Sequence, residues 1–204
     1  MTGNRLLAWI GPDPPRVDVA RIELSPDRLN ARGSSVAPTY TLTFALVTGP
    51  AWVTRQLDVR VDGDGWGRTL LLRRSDAGSW SSWRVEATTD GEPRSTEVEH
   101  PDLAAALDCD LALCPVTNTM PVLREDLIEA SRRGEQRRVE LTMAWVAVPE
   151  LDVMSSAQRY DAGVPVVAGG AQIRFEAGSF HEHIEVDADG LVVSYPSIGR
   201  RLAG

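Results

Sequence analysis

Tyr40–Val47 reads YTLTFALV, and Val53–Val61 reads VTRQLDVRV. In the first stretch Tyr40, Leu42, Phe44 and Leu46 recur at every second position, with Thr41 and Thr43 between them. Successive side chains of a strand point to opposite faces, so this pattern makes one face apolar and the other polar. Val53, Leu57, Val59 and Val61 stand against Thr54, Gln56, Asp58 and Arg60 in the same way. The two stretches predict a half-buried antiparallel pair, with the intervening TGPA as its turn.

The same punctuation continues on both sides. Val61–Gly67 (VDGDGWG) carries Asp-Gly turn chemistry, Gly67–Arg74 reads as the next strand, and Ser75–Ser79 (SDAGS) turns the chain into WSSWRVE. Further strands are expected at Arg138–Val148, Gln172–Ala177, Ser179–Asp187 and Gly190–Tyr195, the last two joined by a hairpin turn at Asp187, Asp189 and Gly190. Only His100–Leu107 and Glu125–Gly134 could form short helices, and the second competes with a strand reading. Short strands at close spacing predict an all-β, mostly antiparallel fold: a sandwich, a barrel or a rolled sheet. Dinucleotide-binding folds are disfavoured because strands do not alternate with long helices. At 204 residues, one domain spanning 1–204 is expected.

Composition narrows the partners. Apolar residues make up 43% and charged residues 25%, enough for a core of ordinary size. A formal net charge of −8 works against general affinity for nucleic acid or an anionic membrane surface. All 21 basic residues are arginine, which reads as coding bias. The N-terminal MTGNRLLAWIGPDPP lacks the apolar core of a secretory signal, and no segment approaches the roughly 18 apolar residues of a membrane span. A cytoplasmic protein is therefore expected, with Cys109 and Cys114 as free thiols.

No catalytic or cofactor signature stands out. Gly-x-Ser-x-Gly, His-Glu-x-x-His and phosphate-loop patterns are absent from the sequence. His181, His183 and Glu185 share one strand face at metal-ligand spacing, but Phe180, Ile184 and Val186 on the other face make them read as an ordinary solvated side. A nucleophilic cysteine would need an oriented base, and His100 is the only histidine near Cys109 and Cys114 in sequence. No catalytic residue, metal or cofactor is expected. The six tryptophans can close a core or line a greasy cleft; Trp80 and Trp83, three apart, should point to opposite faces of a strand.

Three segments carry a resemblance. LDCDLALCPVTNTMPVLR (Leu107–Arg124), VAVPELDVMSSAQRY (Val146–Tyr160) and FHEHIEVDADGLVVSYPSIGRR (Phe180–Arg201) resemble, in order and spacing, the bacterial family described as "putative glycolipid-binding". The match runs through Asp108, Asp110, Pro115, Thr117, Asn118, Thr119, Pro121 and Arg124, then Gln158 and Tyr160, then Asp187, Gly190, Tyr195 and Pro196. Trp9, the strand at Tyr40 and TRQLDV agree more loosely.

The resemblance implies a fold similar to the bacterial Lol lipoprotein carriers, an antiparallel sheet rolled into an open half-barrel with a hydrophobic hollow. It also implies a lipid or glycolipid partner held without catalysis. Candidate ligand contacts are then Arg55, Trp80, Asp110, Thr117, Asn118, Thr119, Arg124, Gln158 and Tyr160. Pro115 and Pro121 would restrict the backbone around Thr117–Thr119, whose side chains would bond nearby main chain, and Asp110 and Arg124 are expected to meet. The alternatives are an enzyme acting on a lipid-like or sugar-like substrate, with Asp108, Asp110 or His181 as acid or base, and a protein-interaction module binding through a sheet edge or groove. Ligand identity and oligomeric state are not legible in the sequence.

Overall fold

The protein is described by a computed structural model that covers residues 3–203. The first half is an antiparallel meander of β1 (Gly3–Pro12), β2 (Pro15–Ser25), β3 (Arg28–Val36), β4 (Tyr40–Thr48), β5 (Thr54–Gly63), β6 (Trp66–Arg74), β7 (Trp80–Thr88) and β8 (Gly91–Glu99). A crossover then brings β9 (Asp108–Leu111), a 3-10 turn at Pro115–Asn118, and two short helices, α1 (Thr119–Arg124) and α2 (Leu127–Arg133). The second half is β10 (Arg138–Val146), β11 (Val153–Pro165), β12 (Ala171–Ala177), β13 (Phe180–Val186), β14 (Val192–Tyr195) and β15 (Gly199–Arg201).

All fifteen strands of the described residues belong to one sheet, in the order β8 to β1, then β15 down to β9. Every pairing is antiparallel except that of β9 with β10. The two halves meet where β1 pairs with β15, Trp9 lying opposite Arg201 and Ile10 opposite Arg200. The expected all-β, mostly antiparallel rolled sheet is the observed one, and it does not close on itself. The pair read from the sequence holds in register, with Leu42 opposite Val61, Phe44 opposite Val59 and Leu46 opposite Leu57.

The sheet has two ends, and each is managed differently. All nine residues of β8 are exposed, and Pro93, Glu92, Arg94, Glu97 and Glu99 make it a poor template for another strand. At the other end β9 turns inward against the start of β5. The Cys109 amide donates to Thr54 Oγ1 at 3.0 Å, and the Thr54 amide donates to the Leu107 carbonyl at 3.0 Å. These bonds satisfy an edge that would otherwise be buried with unpaired amides.

This inward turn decides where open space remains. The inner face of the first meander carries Leu42, Leu46, Leu57, Val59, Val61, Leu70, Leu72 and Trp80. Leu103, Ala106, Cys109, Leu111, Val116 and Met120 pack onto it from the crossover, with Ala144 and Val146 from β10. The hollow of the first half is therefore filled by the chain's own side chains. A second core lies in the other half, where Val122, Leu127 and Ile128 of the helices cover Tyr160, Ile173, Phe175, Ile184 and Val186.

Local expectations hold in part. The turn after β13 is the expected one: Asp187 Oδ1 accepts from the amides of Asp189 and Leu191, each at 3.0 Å. Gly190 there has φ of +78°, and a Cβ would lie 2.7 Å from Leu123 Cδ2, so the turn needs glycine for both conformation and space. His100–Leu107 supplies only a 3-10 turn at Pro101–Leu103, whereas Glu125–Gly134 contains the helix α2 and not a strand. The segment between Pro115 and Pro121 is a 3-10 turn running into α1.

Candidate functional site

The site grows out of the alternation in β9. Cys109 and Leu111 enter the main core, which leaves Asp108 and Asp110 on the opposite face. Parallel pairing sets Asp110 beside Trp145, and the β10–β11 register then sets Trp145 across from Met154 and Leu141 across from Gln158. Further along, Gln158 lies opposite Ala177 and Tyr160 opposite Phe175, and Ala177 lies opposite Phe180. Residues far apart in sequence thus form one concave surface.

Above this surface the 3-10 turn begins at Pro115, whose missing amide is not needed at the first position. Pro121 stands third in α1, within the first turn, where an amide also has no intrahelical partner. The turn buries Thr117 and Asn118 and aims them at β9 and β11. Thr117 Oγ1 lies 2.8 Å from Asp110 Oδ1 and 3.1 Å from the Cys114 carbonyl, so its single proton serves the closer carboxylate. Gln158 Nε2 donates to Asp110 Oδ2 at 2.7 Å. The Tyr160 hydroxyl lies 3.1 Å from both Gln158 Oε1 and Asn118 Oδ1.

Directionality follows from Asp110. An ionised carboxylate only accepts, so it fixes the Gln158 amide with nitrogen towards itself and oxygen towards Tyr160. One phenol proton cannot serve two amide oxygens, and turning the Asn118 amide over would supply the second donor that this end of the network lacks. Burial pushes the Asp110 carboxyl above its ordinary range, while the donors Gln158 and Thr117 pull it back down. Burial, followed by the Asp110 charge, holds the Tyr160 phenol well above its usual value, which keeps it a donor.

Beside this network opens a cleft of about 450 Å³, within the roughly 300–1,000 Å³ of small-molecule sites. Asp110, Asn118, Gln158, Ser155 and Ser156 form its polar part, and Trp145, Met154, Phe175, Phe180, Tyr195 and Ile198 form its apolar walls. Phe175 is the hub of the aromatic wall. Its ring meets Tyr160, Phe180 and Tyr195 at steep angles, with centroids 5.0, 6.0 and 5.9 Å away.

The residues singled out in the sequence divide into three groups. Asp110, Asn118 and Gln158 line the cleft, and Thr117 and Tyr160 hold them in place. Arg124 does not meet Asp110. Both oxygens of Asp110 are engaged by Thr117 and Gln158, and Arg124 Nη1 bonds Asp108 Oδ1 at 2.6 Å instead. Thr119 is fully buried, and its hydroxyl has no partner among the described residues, so it does not bond the main chain as expected.

Arg55 and Trp80 lie away from the cleft lining. Arg55 pairs with the exposed Asp76, and Trp80 is a core residue whose indole donates to the Ala106 carbonyl at 3.0 Å. Trp83, by contrast, is exposed, in keeping with opposite faces. The sequence reading did not single out Met154, Ser156, Phe175 or Phe180 as contacts. Their shared face is visible only once β10 to β13 are in register.

The thiols offer little chemistry. Burial raises Cys109 far above its ordinary value and pushes Cys114 up to about 12, so both stay protonated near neutral pH. We expect iodoacetamide to leave Cys109 unmodified in the native protein and to modify it after denaturation; rapid native labelling, read by peptide mass mapping, would contradict its burial.

The comparisons with known proteins bear on this whole arrangement. A crystal structure of a DUF1089 family protein from Pseudomonas aeruginosa superposes with a TM-score of 0.65, at 24% identity, over 91% of this chain and 92% of that one. That likeness concerns the fold alone. A search of curated proteins returned no match. None of the helices in the described residues is long and apolar enough to cross a membrane. The profile of the family described as "Putative glycolipid-binding" matches residues 6–201, which takes in both halves of the sheet and the cleft, and the chain belongs to that family.

Proposed function

We propose that the protein binds a lipid or glycolipid without catalysis, in the cytoplasm, with the whole chain acting as one domain. The observation that carries this reading is the cleft of β9 to β13, which joins an aromatic and aliphatic wall to a polar cluster already fixed by its own hydrogen bonds. A ligand with an apolar part and a hydrogen-bonding head matches that division. The family description adds the ligand class, and the unpaired cysteines agree with a reducing compartment. A single sheet running from β8 to β9 supports one functional unit.

The groups that an enzyme reading would call on are not gathered together. Asp108 is fully buried and engaged by Arg124, and His181 is exposed on β13, bonding the Ser179 carbonyl. The ligand contacts we assign are Asp110, Asn118, Gln158, Trp145 and Phe180, with Thr117 and Tyr160 positioning the first three.

Native mass spectrometry of untagged protein, with organic extraction of the same sample, tests the reading. A bound amphiphile of defined mass is expected. Ser156→Trp, on β11 between the lining residues Met154 and Gln158, should fill the cleft, abolish that bound mass and leave the protein folded. Retention of the ligand by Ser156→Trp, or a protein that takes up no amphiphile at all, would count against the cleft.

A further inference from the structure

The charge lining of the cleft narrows the head group, on the assumption that the cleft is the amphiphile site proposed above. Among the described residues, no arginine or histidine lines the cleft, and the chain contains no lysine. Its one formally charged lining group is the Asp110 carboxylate. An anionic head would have to approach that carboxylate in a partly desolvated space with no cation to offset it.

The arginines of the neighbourhood are committed elsewhere. Arg16 reaches the cleft wall only from behind: its side chain is fully buried, its Nη2 bonds the carbonyls of Leu113 and Ile198, and its Nε faces Asp18 at 3.2 Å. Arg124 is engaged by Asp108 and Glu125. Neither of these guanidinium groups lines the cleft, and each is paired with a carboxylate outside it.

What the cleft does offer is acceptor capacity and a few neutral donors. Asp110 has about four lone-pair sites, of which Thr117 and Gln158 take two. The amides of Asn118 and Gln158 and the hydroxyl of Ser156 can both accept and donate. That set suits several O–H groups on one ligand. The aromatic wall argues against a quaternary ammonium, because Phe175, Phe180 and Tyr195 stand 5.9 to 6.2 Å apart and pack on one another instead of framing a gap. Exposed ring surface on Phe180 is left to stack on an apolar sugar face or a chain.

We infer that the cleft selects amphiphiles whose head is uncharged and donates hydroxyl hydrogen bonds, as a glycosyl group does, and rejects those with phosphate, sulfate or carboxylate heads. Asp110 is the residue that sets this selection; Asn118 and Gln158 orient the head.

Three amphiphiles with the same tail test it: octyl glucoside, octyl sulfate and octyltrimethylammonium, each titrated calorimetrically below its micelle concentration. The glucoside is expected to bind at least about tenfold more tightly than the sulfate, the worth of one hydrogen bond to a charged group. Asp110→Asn should bring the two within about threefold of each other, and Ser156→Trp should abolish glucoside binding. Equal binding of sulfate and glucoside to the unmodified protein would overturn the selection while leaving the cleft an amphiphile site. Tightest binding of the trimethylammonium would overturn it in favour of a cation site. Binding of none of the three would overturn the amphiphile reading itself. The wild-type comparison stands even if Asp110→Asn fails to fold.

Discussion

Arg124→Met is expected to lower stability by about 3–5 kcal/mol near neutral pH, the usual cost of leaving one member of a buried ion pair alone. Asp108 is fully buried; its Oδ1 accepts from Arg124 Nη1 at 2.6 Å, and its Oδ2 has no partner among the described residues. Methionine keeps much of the length of the arginine stem and removes every donor. The loss should depend on pH in a defined direction. Burial already holds the Asp108 carboxyl above its ordinary range, and Arg124 is the main influence drawing it down.

Without Arg124 the folded-state value rises further. A carboxyl whose folded value lies above its unfolded one favours folding at low pH, and that advantage disappears as pH rises through the folded value. The penalty of Arg124→Met should therefore be smaller at pH 5 than at pH 8. Adding Asp108→Asn should recover part of it by removing the charge. Urea denaturation of the single and double variants at both pH values provides the check. A penalty under about 1 kcal/mol that is equal at both would mean the pair does not hold α1 to β9.

The second large effect concerns the seam between the halves. Trp9→Ala is expected to cost about 3–5 kcal/mol for the buried ring, with roughly 1 kcal/mol more for the Val192 carbonyl left without its donor. Trp9 is 1% exposed, and its Nε1 donates to the Val192 carbonyl at 2.9 Å. It sits on β1, the strand through which the two meanders are joined, opposite Arg201 of β15. Trp9→Phe should lose much less, because most of the buried apolar area stays. Chemical denaturation followed by circular dichroism separates the two. Equal costs for both variants would show that the indole hydrogen bond, and not ring packing, is what β1 contributes at the seam.

Some of this architecture is written locally. Alternation in Tyr40–Val47 and Val53–Val61 places Leu42, Phe44, Leu46, Leu57, Val59 and Val61 inward, and each of them is buried. Asp187 and Gly190 encode their turn through side-chain bonding and positive φ. Other local signals passed unread. Burial alternates without a break along β2 at Pro15–Ser25, but its sequence slips phase, with Val17 and Val19 exposed and Arg16 and Asp18 buried; Val153–Pro165 is a thirteen-residue strand whose Ser155, Ser156, Gln158 and Arg159 disguise it. The helix α1 starts directly after a 3-10 turn and contains Pro121, so no capping pattern announces it.

The candidate site divides along the same line. Asp110, Thr117, Asn118, Gln158 and Tyr160, which the family resemblance pointed to, come together through their own hydrogen bonds. Arg55 and Trp80, named with them as candidate contacts, are committed by the fold to a surface ion pair and to the core.

By itself, then, the sequence determined that the chain is a mostly antiparallel sheet with polar turns and little helix, because a period of two and the chemistry of turns are properties of neighbouring residues. Only the tertiary structure decided that β9 turns inward to fill the first hollow, that Arg124 meets Asp108 and not Asp110, and that Trp145, Met154, Phe175 and Phe180 wall a cleft. Those outcomes depend on which faces of distant strands are brought into register and which buried charges find partners first, and neither is a property of any single stretch of chain.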